Sequence, residues 1–161
     1  MIQQTGKALK LFPWQKETEF FTQAEKDCII ETIRASEQRT SGEIRIFVES
    51  RCKFVNAIDR AQEIFLELGM YKTAERNGTL VYVAVKDKQV AVFGDEGIHQ
   101  KVGQKYWEDE VNKMLVFFKE AHLGDGICQV VTDIGEALNF HFPYNESTDK
   151  NELPDDIVFG K

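Results

Sequence analysis

The sequence of 161 residues lacks any continuous apolar run of about 18 residues, the length that a membrane-spanning helix requires. Its start contains Lys7 and Lys10 but no apolar segment, so we expect no signal peptide. Cysteine is scarce, and three residues at wide spacing (Cys28, Cys52 and Cys128) are typical of reduced thiols rather than of a disulfide framework. These absences predict a cytoplasmic protein with no direct membrane insertion.

Familiar catalytic motifs are also missing. The sequence has no Walker loop, no Gly-x-Gly-x-x-Gly and no Gly-x-Ser-x-Gly, so it gives no support for nucleotide binding or an α/β-hydrolase. Cys28 and Arg34 have the spacing of a cysteine-phosphatase loop. Both fall inside a predicted amphipathic helix, where no loop could cradle a phosphate. We therefore identify no catalytic residue.

Positive charge is in the minority, with 20 Lys and Arg against 27 Asp and Glu and a net charge of −7. This balance argues against nucleic acid or an anionic membrane as the main partner, because both bind clustered cations. Residues 142–161 hold five acids against two lysines. Their low hydrophobicity predicts an acidic mobile tail, apart from a short apolar end at Ile157, Val158 and Phe159 that could dock.

The remaining chain predicts an N-terminal arm at 1–21 and one α/β domain at 22–141. Helices are expected from their capping and apolar spacing, and strands from alternation or continuous β-branched runs. The predicted helices are 23–38, 56–68, 96–104, 106–121 and 127–140, and the predicted strands are 43–49, 79–85 and 89–93. This order predicts a small mixed sheet, a parallel pair plus an antiparallel hairpin strand, flanked by helices.

That topology predicts an acidic cluster at one end of the sheet. The two parallel strands start there and the hairpin strand returns there, which gathers Glu43, Asp95 and Glu96 beside the Asn77-Gly78 turn. Asp125 joins them if a short helix leads away and a long helix leads back. Carboxylates beside glycine-flanked carbonyls are oxygen ligands suited to Ca²⁺ or Mg²⁺, so these four acids are the predicted metal ligands.

A plainer interpretation of the same acids remains open. Asp95 and Asp125 each stand just before a predicted helix, where a carboxylate commonly caps the first turn. Glu43 would then be a solvated strand end.

Four segments occur in a fixed order along residues 22–140: Ser41-Gly42-Glu43-Ile44, the run 77–85, the run 90–98 and Gly124-Asp125-Gly126-Ile127. With them the chain resembles the TPM domain, or TPM phosphatase, family. The resemblance implies a Rossmann-like α/β sandwich whose cleft binds divalent cations, with cleft acids at Glu43, Asp95 and Asp125. Within the family that it resembles, a plant chloroplast relative is associated with acid phosphatase activity and photosystem repair. Animal relatives act as membrane-linked accessory proteins. Unlike many relatives, this chain is expected to have neither a signal peptide nor a C-terminal membrane anchor.

Three functions are open at this point. The first is a divalent-cation-binding module that serves the assembly or quality control of a protein partner. The second is a metal-dependent phosphomonoesterase with Asp95 or Asp125 as a metal ligand and a neighbouring carboxylate as base. Its local candidates for binding phosphate are Arg45, Arg76 and Lys101. The third is a purely structural interaction domain.

Overall fold

A mixed sheet of four strands forms the centre of the fold, in a computed structural model that describes residues 20–145 and 157–160. The elements in chain order are α1 (Gln23–Glu37), β1 (Glu43–Glu49), α2 (Ala57–Glu67), β2 (Gly78–Ala84), β3 (Gln89–Gly94), α3 (Glu96–Val102), α4 (Gln104–Lys119), α5 (Leu123–His141) and β4 (Ile157–Phe159). The predicted α/β class is confirmed.

The sheet has the strand order β3-β2-β1-β4. β1 and β2 are parallel with Glu43 opposite Gly78, whereas β2 and β3 are antiparallel with Thr79 opposite Gly94. The parallel pair and the hairpin strand are therefore as predicted. β4 extends the sheet in parallel beyond β1.

The short β4 is the apolar end for which we expected docking. The Gly160 N–H donates to the Val48 carbonyl at 2.7 Å, and the Phe159 ring lies 6.4 Å from that of Phe21. These residues thus belong to the sheet and its core. The rest of the predicted mobile tail falls mainly on residues 146–156, and the predicted arm on 1–19, which lie outside the described residues.

Helices cover both faces of the sheet. Every residue of β2 is therefore buried, as its apolar side chains on both faces require. One face packs against α1, α4 and α5, with Val81 and Val83 contributed by β2. The other face packs against α2 through Leu80 and Tyr82. At the start of α1, the Thr22 hydroxyl accepts from the Glu25 N–H at 3.1 Å and the Glu25 carboxylate accepts from the Thr22 N–H at 2.7 Å, which confirms the predicted capping box.

None of the helices within the described ranges is long and apolar enough to cross a membrane. Cys28, Cys52 and Cys128 are free thiols, and the sulfurs of Cys28 on α1 and Cys128 on α5 lie 3.6 Å apart.

A buried acid lies between α4 and α5. Glu110 accepts from the Lys113 ammonium at 3.1 Å, and the same ammonium donates to Asp133 on α5 at 2.7 Å. Burial, and then the neighbouring Asp133, raise the pKa of Glu110 to about 7. Burial acts to raise the pKa of Asp133, but hydrogen bonds with Lys113 and Glu110 outweigh it and lower that pKa below its ordinary value.

We predict that Glu110→Gln stabilises the protein at pH 8 but not at pH 4.5. The folded state keeps the Glu110 proton up to about pH 7, whereas the unfolded carboxyl loses it near 4.5, so wild-type stability falls as the pH rises between these values. Glutamine imitates the protonated acid and removes this loss, with a gain of about 1–2 kcal/mol at pH 8 after allowance for solvent screening. Urea unfolding of the wild type and the variant at both pH values measures this difference in stability. The exposed Glu108→Gln on the same helix is the control, and an equal gain there would contradict the assignment to Glu110.

Candidate functional site

Two acids flank the start of β2, Glu43 at the start of β1 and Asp95 just after the end of β3. The Glu43 N–H donates to the Asn77 carbonyl at 3.4 Å, and the Asp95 N–H donates to the Gly78 carbonyl at 2.9 Å. Glu43 is 2% exposed and Asp95 is 4% exposed. The strand starts thus bring Glu43, Asp95 and the Asn77-Gly78 turn to one end of the sheet, which we call the acidic end.

Arg76 donates a hydrogen bond to each oxygen of the Asp95 carboxylate. Its Nε lies 2.7 Å from Asp95 Oδ2 and its Nη2 lies 2.8 Å from Oδ1, while Nη1 lies 3.1 Å from Glu96 Oε1. The hydrogen bond with Asp95 is the main cause that raises the pKa of the Arg76 guanidinium. The sequence indicated Arg76 only as a candidate for binding phosphate, because nothing in its spacing from Asp95 reveals this pair.

Asp95 also caps the helix that follows it. Its Oδ1 accepts from the Glu96 N–H at 2.8 Å at the start of α3. The capping interpretation is therefore right for Asp95, but it does not account for the ion pair between this buried carboxylate and the partly exposed Arg76. Glu96 itself is exposed and lies at the rim of the acidic end.

Asn77 contributes a buried amide to the acidic end. The side chain is 1% exposed, and its Nδ2 donates to Ser41 Oγ at 3.1 Å. No donor among the described residues reaches its buried Oδ1. Such an oxygen costs about 1–3 kcal/mol when it lacks a partner, and an amide oxygen is a usual ligand of hard cations.

Asp125 lies at the opposite end of the sheet, so the prediction that it joins the other acids is wrong. α1 and α5 run parallel, because Gly124 lies against Glu25 whereas Gly135 lies against Ser36. The start of α5 is therefore beside the start of α1, away from Glu43.

The reason for this misplacement is the short α3. It has 7 residues, and the Trp107 ring of α4 packs on Gly94 at the end of β3, so α4 also starts at the acidic end. The 16 residues of α4 then carry the chain about 24 Å away, and α5 starts from the far end.

Asp125 does not cap α5 either. The helix begins at Leu123, before the predicted start at residue 127, and its N-cap is His122. Asp125 stands in the first turn with a side chain 79% exposed, and its Oδ2 lies 3.8 Å from His122 Nδ1.

The acidic end thus supplies only some of the ligands that a cation site requires. Within residues 20–145 and 157–160, no three or more His, Cys, Asp or Glu side chains are grouped closely enough to hold a metal ion. Any cation bound here would need Asn77 Oδ1 or backbone oxygens besides the two acids, and it would compete with the Arg76 guanidinium for Asp95.

A second polar cluster lies at the carboxyl end of β1, and no sequence pattern predicts it. Arg60 donates to both oxygens of the buried Glu49 at 2.9 and 3.0 Å, and the Tyr82 hydroxyl donates to Glu49 at 2.5 Å. Burial is the main cause that raises the pKa of Tyr82. A cavity of about 580 Å³ opens beside Glu49 and Arg60, at the strand ends where open α/β sheets usually bind ligands.

Comparison with known proteins shows the family to which this chain is related. The family model of the TPM domain matches residues 15–137. The NMR structure of the BA42 protein from the psychrophilic bacterium Bizionia argentinensis is 36% identical, with a TM-score of 0.80 over 88% of this chain and 96% of that chain.

A more remote structure shares only the fold. The N-terminal domain of the cg2496 protein from Corynebacterium glutamicum is 14% identical, with a TM-score of 0.55 over 73% of this chain and 74% of that chain. A search of curated protein sequences returns no match. The family model spans most of the chain, and the similar BA42 structure covers nearly all of it, so this protein belongs to the TPM domain family.

Proposed function

We propose that this protein is a divalent-cation-binding TPM domain that serves as an accessory module for a protein partner, and that its ion site is the acidic end. The observation that carries the proposal is the buried Asn77 Oδ1, which no described donor satisfies. It belongs to the turn whose carbonyls accept from the Glu43 and Asp95 amides. A hard cation such as Ca²⁺ or Mg²⁺ would satisfy this oxygen and compensate the nearby carboxylates.

The ligand set that we propose is Glu43, Asp95, Asn77 and the exposed Glu96. The first three are fixed by the strand starts and the turn, so little side-chain entropy is lost when an ion binds. Glu96 stands at the rim and could approach the ion from the solvent side. Asp125 is left out, because α5 starts at the opposite end of the sheet.

Arg76 acts as an internal competitor in this proposal. Its guanidinium occupies both oxygens of Asp95, so an ion that ligates Asp95 must first displace it. The displacement is feasible because the Arg76 side chain is partly exposed and can swing into solvent. The competition predicts weak affinity, near the millimolar range of low-affinity calcium modules.

We expect Arg76→Gln to tighten Ca²⁺ binding by about tenfold and Asp95→Asn to weaken it by at least as much. The first change removes the competing cation, and the second removes the charge for which ion and guanidinium compete. Backbone NMR during Ca²⁺ and Mg²⁺ titrations measures the affinity, with shifts expected at Glu43, at 77–78 and at 95–97.

Asp125→Asn is the matched control for these variants, since it removes the same charge at the other end of the sheet and should leave the affinity unchanged. If no amide of the acidic end shifts at about 10 mM ion, well above the affinity range of such modules, the proposal is wrong. Shifts confined to residues 124–126 would also contradict the proposed location.

The phosphomonoesterase hypothesis stays a prediction. Of its three candidate cations, Arg76 is engaged with Asp95 and Glu96, so a phosphate at the acidic end would compete with both carboxylates for it. Release of phosphate from an aryl phosphate, lost in Asp95→Asn and retained in Asp125→Asn, would favour an enzyme over a binding module. The predicted cytoplasmic location likewise stays a prediction.

A further inference from the structure

Two thiols face each other across the contact between α1 and α5. The Cys28 sulfur on α1 lies 3.6 Å from the Cys128 sulfur on α5, so the two atoms are in contact. A disulfide bond measures about 2.05 Å, and its formation here requires the sulfurs to approach by only about 1.5 Å. Helix packing thus places two residues that are 100 positions apart in the sequence within reach of a covalent bond. We call these two cysteines the thiol pair.

Glycines on α5 let α1 pack closely on both sides of the thiol pair. A Cβ built at Gly124 would lie 2.9 Å from the Glu25 carboxylate. At the other side, a Cβ built at Gly135 would lie 2.5 Å from Ser36 Oγ and 3.5 Å from Ser36 Cα. The thiol pair falls between these two contacts along both helices. A disulfide requires its two Cα atoms to lie within about 7 Å of each other, and helices in such close contact favour that distance.

The thiol pair is open to solvent on the side of Cys28. Cys28 is exposed, whereas Cys128 is partly buried. A cavity of about 440 Å³ between α1 and α5 has Cys28 in its wall, together with Thr32 and Thr132. Burial is the main cause that raises the pKa of Cys128 to about 11, and the neighbouring Cys28 sulfur adds to this increase. A reagent that arrives from solvent therefore meets Cys28 first, while Cys128 is held as the protonated thiol at neutral pH.

We propose that Cys28 and Cys128 form a reversible disulfide that joins α1 to α5 when the protein meets a low-molecular-weight disulfide such as oxidised glutathione. The Cys28 thiolate attacks one sulfur of the reagent, which forms a mixed disulfide and releases one small thiolate. Cys128 then loses its proton to solvent and attacks the Cys28 sulfur, which releases the second small thiolate. The two cysteines lose two electrons to the reagent, so one small disulfide becomes two small thiols.

The new bond would make the stability of the domain depend on the redox state of its surroundings. It closes a loop of about 100 residues that contains β1, β2 and β3. In the chain-entropy account, such a closure restricts the unfolded chain and so stabilises the fold. Small thiols in excess would restore the free cysteines that the structure contains. The thiol pair lies near the starts of α1 and α5, away from the acidic end, and this inference does not depend on cation binding.

The test is incubation of the full chain with oxidised glutathione, followed by alkylation of the remaining thiols and mass spectrometry. We expect one internal disulfide that joins the peptides of Cys28 and Cys128. The melting temperature should be higher than that of the reduced protein by about 5–10 °C. Dithiothreitol should reverse both changes. Cys52→Ser is the control and should behave like the wild type, because the Cys52 thiol donates to the Val55 carbonyl in the loop after β1.

Two further serine variants test the order of attack. Cys128→Ser should accumulate the mixed disulfide at Cys28 without a higher melting temperature, because the second attacking thiol is missing. Cys28→Ser should react at least about tenfold more slowly than Cys128→Ser, because its remaining thiol is partly buried.

Several outcomes would overturn the proposal. It is wrong if the wild type forms no internal disulfide, keeps glutathione on Cys28, or forms a bond that involves Cys52 or a second chain. Equal reaction rates of Cys28→Ser and Cys128→Ser, or an internal disulfide that leaves the melting temperature unchanged, would also contradict it.

Discussion

Replacing Arg60 by methionine is expected to lower the free energy of unfolding by about 3 kcal/mol. Arg60 donates to both oxygens of Glu49, a carboxylate at the carboxyl end of β1 that is buried from solvent. The hydrogen bond with Glu49 is the main cause that raises the pKa of Arg60. Methionine keeps an apolar stem at this position but removes the guanidinium, which lies 6.0 Å from the centre of the Phe47 ring and supplies the counter-charge of the buried carboxylate.

Urea unfolding of two further variants shows whether the loss comes from the stranded carboxylate. Arg39→Met breaks an exposed pair with Glu136 and should cost less than about 1 kcal/mol. Adding Glu49→Gln to Arg60→Met removes the stranded charge and should recover part of the loss. If Arg60→Met costs no more than Arg39→Met, the Glu49 cluster does not stabilise the fold in the way we describe.

The core of the fold could be predicted from the sequence because its signals are local. The continuous apolar run of β2 and the short turn at Asp87-Lys88 define a buried strand and a hairpin. The capping box at Thr22 marks the start of α1 within a residue. Together they determine the strand starts, and with them the pairing of Glu43 with the turn before β2.

The position of Asp125 and the ion pairs of the two polar clusters depend on how the helices pack. No local sequence pattern indicates this packing. Asp125 was assigned to the acidic end by counting helices as full crossings, but α3 is too short to cross the sheet. The same packing joins Arg76 to Asp95 across 19 positions and Arg60 to Glu49 between a helix and a strand end. Such ion pairs follow from tertiary structure, so charge spacing along the chain did not reveal them.

The seating of α3 on the turn before β2 underlies the second large effect. The Gly97 N–H donates to the Arg76 carbonyl at 2.8 Å, and a Cβ built at Gly97 would lie 2.1 Å from the Glu75 carbonyl oxygen and 2.7 Å from that of Arg76. Both obstacles are backbone atoms, which cannot rotate away as a side chain could. Only glycine lets α3 approach this turn so closely.

We therefore predict that Gly97→Ala costs about 3 kcal/mol in the free energy of unfolding and loosens the contact between Asp95 and Arg76. Gly124→Ala is the matched control, since Gly124 is likewise the second residue of a helix, but a Cβ there would meet the flexible Glu25 carboxylate at 2.9 Å. It should change stability by less than about 1 kcal/mol. Chemical denaturation gives both values, and NMR shows whether the Asp95 amide moves. Equal costs for the two substitutions would mean that α3 yields as easily as a side chain, and the acidic end would then be adaptable rather than preformed.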